Sequence, residues 1–439
     1  MDVVSAARAL IGDTLAFHLF FVLFGVGLPL IISGLEAYGI WKKKPRARAL
    51  AHEWSKALVI LFIAGAVSGT VVALQFGLLW PKFTEFSGQV VGLSFTLEGF
   101  AFLVEALFLS VYMLSWNKFK PLQHWLCSLP IILGSVGSAF AITTVNAWMN
   151  TPRGFELDGQ GNPININTKE AIFNPAVTTE VTHSILAYFF ATTLVLLMIY
   201  ALIMWRKRPP AAALPRLKTL LAGLAAMAAI FGVLVGLAGH QSGQFLAKYE
   251  PAKLAAATGI HETQEGAPLL IGGIVDGDKV KYALEIPKFL SFLATGDFNG
   301  KITGLNEFKP EDRPPATVHY FFDGMVAIGI ITTTLPLIYL ALRKWRKKWA
   351  HAKLVLIALV ACGPLGIIAT ELGWMLTEFG RQPYVIQGIM RTSEAATTSK
   401  SVVKFAYIFP IFYLILFVLT MLALKKGFHP RKVLVDEPS

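Results

Sequence analysis

The stretch ELGWMLTEFGRQPY, residues 371–384, carries an aromatic ring, a carboxylate and a guanidinium at helical spacing. Trp374, Glu378 and Arg381 stand at positions i, i+4 and i+7, so they share one helix face. A carboxylate in the outer part of a membrane helix is costly unless a cation, a metal or water meets it. Two interpretations follow. Either Glu378 and Arg381 form a salt bridge at a helix end, or Glu378 faces a buried cofactor while Arg381 holds an anionic group nearby.

Histidine and methionine side chains offer a second chemistry, because both serve as axial ligands of haem iron. His18, His183, Met325 and Glu378 come from four different apolar segments, and all four stand at a similar depth near the outer ends of those segments. A membrane histidine is also common as a hydrogen-bonded helix contact, and a methionine as core filler. The shared depth favours a haem layer but does not by itself pair any two of these residues.

Two further carboxylates, Glu98 and Glu105, lie seven residues apart in the apolar stretch LSFTLEGFAFLVEALFL. On a helix they share a face and are about 10 Å apart along the axis. Carboxylates within a membrane helix predict a proton relay by default; the alternative is that each one pairs with a neighbouring helix. Because this segment is predicted to run inward, the relay would take protons from the cytoplasm to Glu105 and then to Glu98.

The composition defines the elements that must position these residues. The chain has 439 residues, of which 55% are hydrophobic and only 15% charged, and its mean hydropathy is +0.59. These values are typical of a polytopic membrane protein rather than a soluble one. The net charge of +12 would indicate nucleic acid in a soluble protein, but here its placement matters more than its sum. Cys127 and Cys362 both fall in apolar segments, so no disulfide framework or thiolate metal site is expected.

Nine apolar segments are each long enough, at about 20 residues, to cross a bilayer. They lie near 15–36, 57–79, 95–115, 125–148, 183–205, 218–239, 318–341, 353–379 and 402–424. Basic residues concentrate in alternate connections: Lys42, Lys43, Lys44, Arg46, Arg48 and Lys56; Lys118 and Lys120; Arg206, Lys207, Arg208, Arg216 and Lys218; Arg343, Lys344, Arg346, Lys347, Lys348 and Lys353; and Lys425, Lys426, Arg431 and Lys432. By the positive-inside rule, the N-terminus is expected outside and the C-terminus in the cytoplasm. The sequence therefore predicts an all-α polytopic membrane protein with about nine transmembrane helices.

The remaining connections are longer and rich in turn residues. Residues 149–182 include NTPRGFELDGQGNP, and residues 240–317 form the longest polar segment. A connection of that length is expected to be functional or folded on itself. The first apolar segment lacks the basic region of a signal peptide and is expected to be retained.

The run GWMLTEFGRQPY resembles a signature of subunit I of the cytochrome bd-type quinol oxidases, G-W-x-x-x-E-x-G-R-Q-P-W, with Tyr384 where tryptophan is usual. The resemblance extends over nearly the whole chain. It includes the segment around His18 with GVGLPL at 25–30, SAFAITTVNAWMNTPRGFE at 138–156, VTHS around His183 and HYFFDGM before and at Met325.

This resemblance implies roles for the residues singled out above. His183 and Met325 match the axial pair of a low-spin b haem, and His18 and Glu378 match ligands of two clustered haems. Trp374 and Arg381 match residues around that haem pair, and Asn146 is a polar position near it. Glu98 and Glu105 match proton-path carboxylates. The implied cofactors are two b-type haems, one low-spin and one high-spin, with haem d or a third b haem. The implied partners are an oxidase subunit II and, in some complexes, a small single-helix subunit.

The same resemblance makes residues 240–317 an external quinol-binding loop of the short-loop branch. SGQFLAKYEPAKLAAA, residues 242–257, resembles its N-terminal part, in which Lys253 matches a lysine implicated in quinol oxidation. Two residues depart from the family pattern: Thr258 stands where glutamate is common, and His240 where aspartate is common. These departures leave three interpretations open: a different quinone, a shifted base for which Glu262 and His261 are the candidates, or a branch that no longer oxidises quinol at this loop.

The implied protein is the haem-bearing subunit of a terminal oxidase in a bacterial or archaeal cytoplasmic membrane. It would oxidise quinol and reduce dioxygen to water, building a proton-motive force without a pump. Residues 1–239 would carry the first six helices, 318–424 the last three, and 425–439 a cytoplasmic tail. One alternative is a bd-like electron-transfer subunit with a different donor. A remote alternative is a non-haem polytopic transporter, which predicts internal repeats that the sequence does not contain.

Overall fold

The computed structural model describes residues 2–206 and 210–431. Within these ranges, nine helices are long and apolar enough to cross a membrane, which confirms the predicted architecture. The helices are α1 (Val3–Trp41), α2 (Pro45–Leu79), α3 (Pro81–Ser115), α4 (Pro121–Leu126), α5 (Ser128–Asn150), α6 (Thr168–Ile172), α7 (Val177–Arg206), α8 (Leu214–Tyr249), α9 (Pro251–Thr258), α10 (Phe289–Thr295), α11 (Thr317–Trp345), α12 (Lys353–Gly380), α13 (Thr392–Ala395) and α14 (Val402–Gly427). Of the predicted cytoplasmic basic residues, Lys207, Arg208 and Lys432 lie outside the described residues, as does the rest of the predicted tail from 433 to 439.

Short antiparallel strand pairs occupy the longer connections. The strands are β1 (Glu156–Leu157), β2 (Pro163–Ile164), β3 (Gln264–Glu265), β4 (Leu269–Ile271), β5 (Ile274–Asp276), β6 (Lys279–Lys281), β7 (Leu284–Ile286), β8 (Lys301–Ile302), β9 (Tyr384–Ile386) and β10 (Met390–Arg391). They pair as β1 with β2, β3 with β8, β4 with β7, β5 with β6, and β9 with β10. Three of these pairs are nested within residues 250–316, so the longest connection is folded on itself, as its length predicted.

Proline sets where several helices begin. α2, α3 and α9 start at Pro45, Pro81 and Pro251. Proline suits this position because the first residue of a helix makes no intrahelical bond through its N–H, and because the fixed φ of proline matches the helical value. α8 continues to Tyr249, past residue 239, where the sixth span was predicted to end. The chain between these points contains no proline, and Pro251 then starts α9. Helix α8 therefore includes the first ten residues, 240–249, of the predicted external loop.

Helix α7 lies at the centre of the bundle. In its most apolar stretch 67% of the residues are buried, against 11% for α14, and it packs against α1, α5, α8 and α12. Glycine allows the closest of these approaches. A Cβ on Gly363 or Gly366 of α12 would come within 2.6 and 2.8 Å of Met198 and Leu194 of α7. Small residues at such crossings let membrane helices pack backbone to backbone. α7 thereby carries His183 into the interior of the bundle.

Three connections meet at one end of the bundle, which we call the loop end: residues 151–176, 250–316 and 381–401. The backbone N–H of Gln387 donates to Met149 O at 2.9 Å, and Arg391 donates to Glu311 O at 3.1 Å. Tyr384 donates its hydroxyl to Asp312 at 2.8 Å, and this bond raises the pKa of the Tyr384 phenol. These bonds fix the segment that follows α12 against the end of α5 and against residues 250–316.

A separate buried polar cluster lies at the opposite end of the bundle. Glu36 of α1 accepts hydrogen bonds from Tyr112 of α3 at 2.8 Å and is 2.7 Å from His124 of α4. His124 also bonds Tyr112 O at 2.9 Å, and Arg48 lies 3.9 Å from Glu36. Buried charges are tolerated when they are paired and hydrogen-bonded. The cluster therefore ties α1, α3 and α4 together.

Candidate functional site

The helix end that carries Trp374, Glu378 and Arg381 agrees with the sequence prediction, because α12 ends at Gly380. Arg381 is 2% exposed and donates from Nη2 to Glu378 Oε2 at 2.6 Å. Asn146 of α5 donates to the other oxygen of Glu378. Trp374 Nε1 donates to Tyr188 Oη of α7 at 3.0 Å. The predicted salt bridge thus exists, and it is one part of a larger arrangement between α5, α7 and α12.

Lys253 of α9 joins the same buried arrangement. Its ammonium donates to Asn150 Oδ1 at 2.8 Å and forms an ion pair with Glu250. Arg381 Nη1 reaches the same Asn150 oxygen at 3.5 Å, and Asn150 Nδ2 donates to Glu180 at 2.9 Å. Lys253 is only 5% exposed. We call this set the Asn150 network; its members are Asn146, Asn150, Glu180, Glu250, Lys253, Glu378 and Arg381.

Three members of the network were not singled out from the sequence: Asn150, Glu180 and Glu250. A signal was available for Glu180, which is a carboxylate three residues before His183 at the start of an apolar segment. Asn150 lies one helical turn beyond Asn146 and therefore on the same face of α5. Glu250 has no comparable signal, because its importance comes only from the ion pair with Lys253.

His18 of α1 contacts α2. Its Nδ1 lies 3.0 Å from Ser68 Oγ, and the Ser68 hydroxyl also lies 3.0 Å from the carbonyls of Ala64 and Gly65. Since a hydroxyl has one proton, donation to a carbonyl makes His18 Nδ1 the donor to Ser68 Oγ. The lone pair of His18 is then on Nε2, the nitrogen that this arrangement leaves for a ligand. Gly69 gives the ring room, since a Cβ there would lie 2.9 Å from His18 Cε1.

His183 and Met325 lie in a unit formed by α7, α8, α11 and α12, which pack against one another. His183 Nδ1 is buried and has no hydrogen-bond partner among the described residues. Glycines stand beside both side chains. A Cβ on Gly239 would lie 3.3 Å from the His183 ring, and one on Gly373 would lie 3.1 Å from Met325 Sδ. Both side chains therefore have room beside them within one helix unit.

Glu98 and Glu105 lie on the part of α3 that follows its kink at Val91. Ser138 of α5 donates to Glu98 at 3.4 Å. Glu105 is 5% exposed, and its Oε1 has no hydrogen-bond partner among the described residues. Gly134 brings α5 close at this level, because a Cβ there would lie 2.9 Å from Glu105 N. The alternative to a proton relay was that each carboxylate pairs with a neighbouring helix. Glu98 does so through Ser138 of α5, whereas Glu105 Oε1 has no such partner among the described residues.

The two residues that depart from the family pattern, Thr258 and His240, and the two candidate proton acceptors, His261 and Glu262, occupy different surroundings. Thr258 donates its hydroxyl to Leu254 O at 2.8 Å, within its own helix α9. His240 and Glu262 are exposed. His261 is mostly buried, and its Nδ1 lies 3.6 Å from Asp278 Oδ1. Of the two candidates that the sequence left open as proton acceptors, only His261 is enclosed by protein.

The donor set suits haem iron. Imidazole and thioether groups are side chains that ligate haem iron, and the family resemblance adds the carboxylate of Glu378. Among the described residues, no three histidine, cysteine or acidic side chains are grouped to hold a bare metal ion. A buried imidazole nitrogen without a partner and glycines beside His18, His183 and Met325 fit a large planar group between helices.

Comparison with known proteins places this geometry in context. Residues 6–431 match the family model for cytochrome bd terminal oxidase subunit I. The chain is 36% identical over 420 residues to a Bacillus subtilis protein named putative cytochrome bd menaquinol oxidase subunit I, covering 95% of this chain and 94% of that protein. It is 27% identical over 443 residues to the cytochrome bd ubiquinol oxidase subunit 1 of the same organism, covering 96% and 93%. The solved bd oxidase from Geobacillus thermodenitrificans matches with a TM-score of 0.93 at 40% identity, covering 97% of this chain and 98% of that chain.

Proposed function

Because this chain belongs to the cytochrome bd terminal oxidase subunit I family, we propose that it is the haem-bearing subunit of an oxidase that oxidises membrane quinol and reduces dioxygen to water. It works with a subunit II in a bacterial cytoplasmic membrane, with or without a small single-helix subunit. Family membership removes the transporter alternative. The N-terminus and the loop end then face outside, as the distribution of basic residues predicts.

The candidate ligands divide into two sets by position. His183 and Met325 would hold a low-spin b haem within the unit of α7, α8, α11 and α12. His18 and Glu378 would ligate two clustered haems, a high-spin b haem and haem d or a third b haem. When bound, these groups supply the electron transfer and the oxygen chemistry. The protein supplies ligand type, burial and orientation, and the bond from His18 Nδ1 to Ser68 leaves Nε2 available to a ligand.

The charges around Glu378 have a defined task in this proposal. Arg381 and Asn146 hold the carboxylate from both oxygens, which fixes its orientation beside a guanidinium. Arg381 also provides donors for an anionic group such as a haem propionate. The Trp374 indole donates to the Tyr188 hydroxyl, and this bond links α12 to α7.

Glu105 and Glu98 would deliver cytoplasmic protons to the oxygen site. The unpartnered oxygen of buried Glu105 makes it a suitable carrier, since it has no competing hydrogen bond among the described residues. Quinol protons would leave at the loop end, on the other side of the membrane. Charge separation then follows from where protons enter and leave, so no pump is required.

One observation carries the proposal: Lys253 of the loop and Glu378 of the bundle belong to one hydrogen-bonded network. A residue expected at a quinol site and a residue expected at a haem site are thus separated by two side chains, Asn150 and Arg381. Such proximity is what an enzyme needs if oxidation of quinol at the loop is coupled to chemistry in the membrane.

The first experiment is a visible difference spectrum, dithionite-reduced minus air-oxidised, of the complex extracted with its partner subunit. We expect bands of a low-spin b haem together with a far-red band of a chlorin-type haem. Only b-type bands would indicate a haem-b variant. Absence of haem bands from a folded, cofactor-replete preparation would contradict the proposal.

A second candidate, a bd-like electron-transfer subunit with another donor, is favoured by Thr258. Its hydroxyl is engaged with Leu254 O and cannot replace a carboxylate as proton acceptor. Oxygen uptake by the haem-loaded complex separates the two functions. Uptake with ubiquinol or menaquinol supports the quinol oxidase, and no uptake with either supports the other donor.

A further inference from the structure

A cavity of about 180 Å³ lies within the folded connection 250–316. Its walls combine small apolar residues with three charged or titratable side chains and come from α9, the hairpin of β5 and β6, and the chain that leads to α11. The lining includes Ala256, His261, Asp278, Leu305 and Arg313. An apolar cavity of about 150 Å³ holds one benzene molecule, so this volume admits an aromatic ring.

His261 presents an unused acceptor or donor at this cavity. Its side chain is 11% exposed, and its Nδ1 is buried with no hydrogen-bond partner among the described residues. The carboxylate oxygen Oδ1 of Asp278 is 3.6 Å from this nitrogen, beyond hydrogen-bonding distance. A buried polar atom left unpaired is costly, so a ligand that bonds to this nitrogen gains affinity.

The turn chemistry of the hairpin places Asp278 beside His261. Asp276 pairs with Lys279, which leaves Gly277 and Asp278 as a two-residue loop. Gly277 has a φ of +59°, a conformation that favours glycine at the first loop position. Asp278 is therefore carried at the tip of the hairpin, with 69% of its side chain exposed, between His261 and solvent.

We propose that this cavity binds the ring of a quinol, with His261 as the proton acceptor for one quinol hydroxyl. The hydroxyl donates to His261 Nδ1, and its O–H bond breaks as the proton moves to that nitrogen. The guanidinium of Arg313 provides donors for the other ring oxygen. In the full reaction, each quinol loses two protons and two electrons to become quinone, and dioxygen is the final oxidant. This inference rests on the proposed function.

The position of the cavity suits electron transfer into the membrane. Ala256 and Leu305 line the cavity, and both belong to a hydrophobic cluster in which Met325 also packs. The cavity and the proposed haem ligand Met325 therefore adjoin the same hydrophobic cluster. Lys253 lies on the same short helix as Ala256, but its ammonium bonds into the Asn150 network. We infer that Lys253 acts on quinol oxidation from that network, while His261 touches the ring.

Charged neighbours define the pH dependence that this role requires. Burial lowers the pKa of His261, and so do the nearby Arg313 and His319, whereas Asp278 raises it. His261 accepts a proton only when neutral, so kcat/KM for quinol rises with pH through this pKa. Asp278→Asn removes the group that raises the pKa. It therefore moves the rising limb of the profile to lower pH.

The decisive variant is His261→Asn in the complete complex, which keeps a polar side chain but cannot take up the proton. We expect kcat/KM for quinol to fall about 100-fold, as for loss of a general base, with the reduced haem spectrum unchanged. Glu285→Gln, on the exposed strand β7 of the same connection, is the matched control and keeps wild-type kinetics. If His261→Asn has wild-type kinetics, or if Asp278→Asn leaves the pH limb in place, the inference is wrong.

Labelling the unaltered complex provides a test that does not depend on a variant folding. A short-chain azido-quinone is photolysed with the complex, and the labelled peptides are identified by mass spectrometry. Label on residues 256–278 or 305–316, lost on addition of excess quinone, supports the inference, and label confined elsewhere overturns it. The wild-type complex is also tested for oxygen uptake with a small artificial one-electron reductant and with several quinols. Uptake with the reductant but with none of the quinols would contradict the proposed function, quinol oxidation, rather than the assignment of His261 alone.

Discussion

Lys253 and Arg381 donate to the same side-chain oxygen of Asn150, at 2.8 and 3.5 Å. Two cations that share one neutral acceptor repel each other, and their carboxylate partners, Glu250 and Glu378, offset that repulsion. Glu180 completes the arrangement by accepting from the Asn150 amide. Asn150 of α5 thus bonds both to Lys253 of the loop and to Arg381 at the end of α12.

Replacing Asn150 should disturb both Lys253 in the loop and Arg381 beside Glu378, because both side chains bond to Asn150. Asn150→Leu has a similar size but removes the acceptor and the donor, so buried Lys253 and Arg381 lose a partner. We expect a loss of stability of about 1–3 kcal/mol and lower quinol-dependent oxygen uptake per haem. Thermal unfolding of the complex and oxygen-electrode assays measure these effects. Asn162→Leu, in the exposed turn between β1 and β2, is the control. Equal behaviour of the two variants would show that the network is not a coupling element.

The network also shows where sequence reasoning ends. The nine spans and the end of α12 at Gly380 were predictable, because hydropathy, proline and glycine are local signals. The bond from Lys253 to Asn150 joins residues 103 positions apart, and no local pattern encodes it. The same holds for His261, whose value as a proton acceptor depends on burial under a hairpin tip. Residue type alone made His261 and Glu262 candidates for the proton acceptor. Only the fold shows that His261 is enclosed by protein whereas Glu262 is exposed.

Met325→Leu should convert the low-spin haem to a high-spin form while the oxygen site stays occupied. Leucine fills a similar volume beside Gly373 but has no sulfur to donate to iron. The optical and EPR spectra of the reduced and oxidised complex report the spin state. Met227→Leu, which changes a partly buried methionine of α8, is the matched control and should leave the spectra unchanged. An unaltered low-spin spectrum in Met325→Leu would remove Met325 as a ligand.

Glu98→Gln should slow turnover when proton delivery limits the rate, without loss of haem. Glutamine keeps the size of the side chain and its bond to Ser138 but cannot carry a proton. Oxygen uptake at saturating quinol, compared in light and heavy water, measures the proton-limited rate. Glu85→Gln, an exposed position on the same helix, controls for the change of charge. Normal turnover in Glu98→Gln would count against the relay.

Lys253→Ala should raise the apparent KM for quinol while haem content stays intact. The change leaves Glu250 without its cation and Asn150 without one donor, which alters the wall of α9 that adjoins the quinol cavity. Steady-state kinetics with a short-chain quinol, normalised to haem, measure the effect. Lys248→Ala, an exposed lysine near the end of α8, is the control. Unchanged kinetics would place quinol oxidation away from this helix.

Tyr112→Phe should destabilise the opposite end of the bundle without changing quinol kinetics. The substitution removes one donor to buried Glu36 but leaves His124 and Arg48 in place. A carboxylate that loses one of its buried partners costs about 1–3 kcal/mol, which should appear as a lower unfolding temperature of the complex. Tyr407→Phe removes a hydroxyl from an exposed tyrosine of α14 and should leave that temperature unchanged. A drop in proton-limited turnover at unchanged stability would instead make this cluster part of the proton path, because Tyr112 lies seven residues beyond Glu105 on the same face of α3.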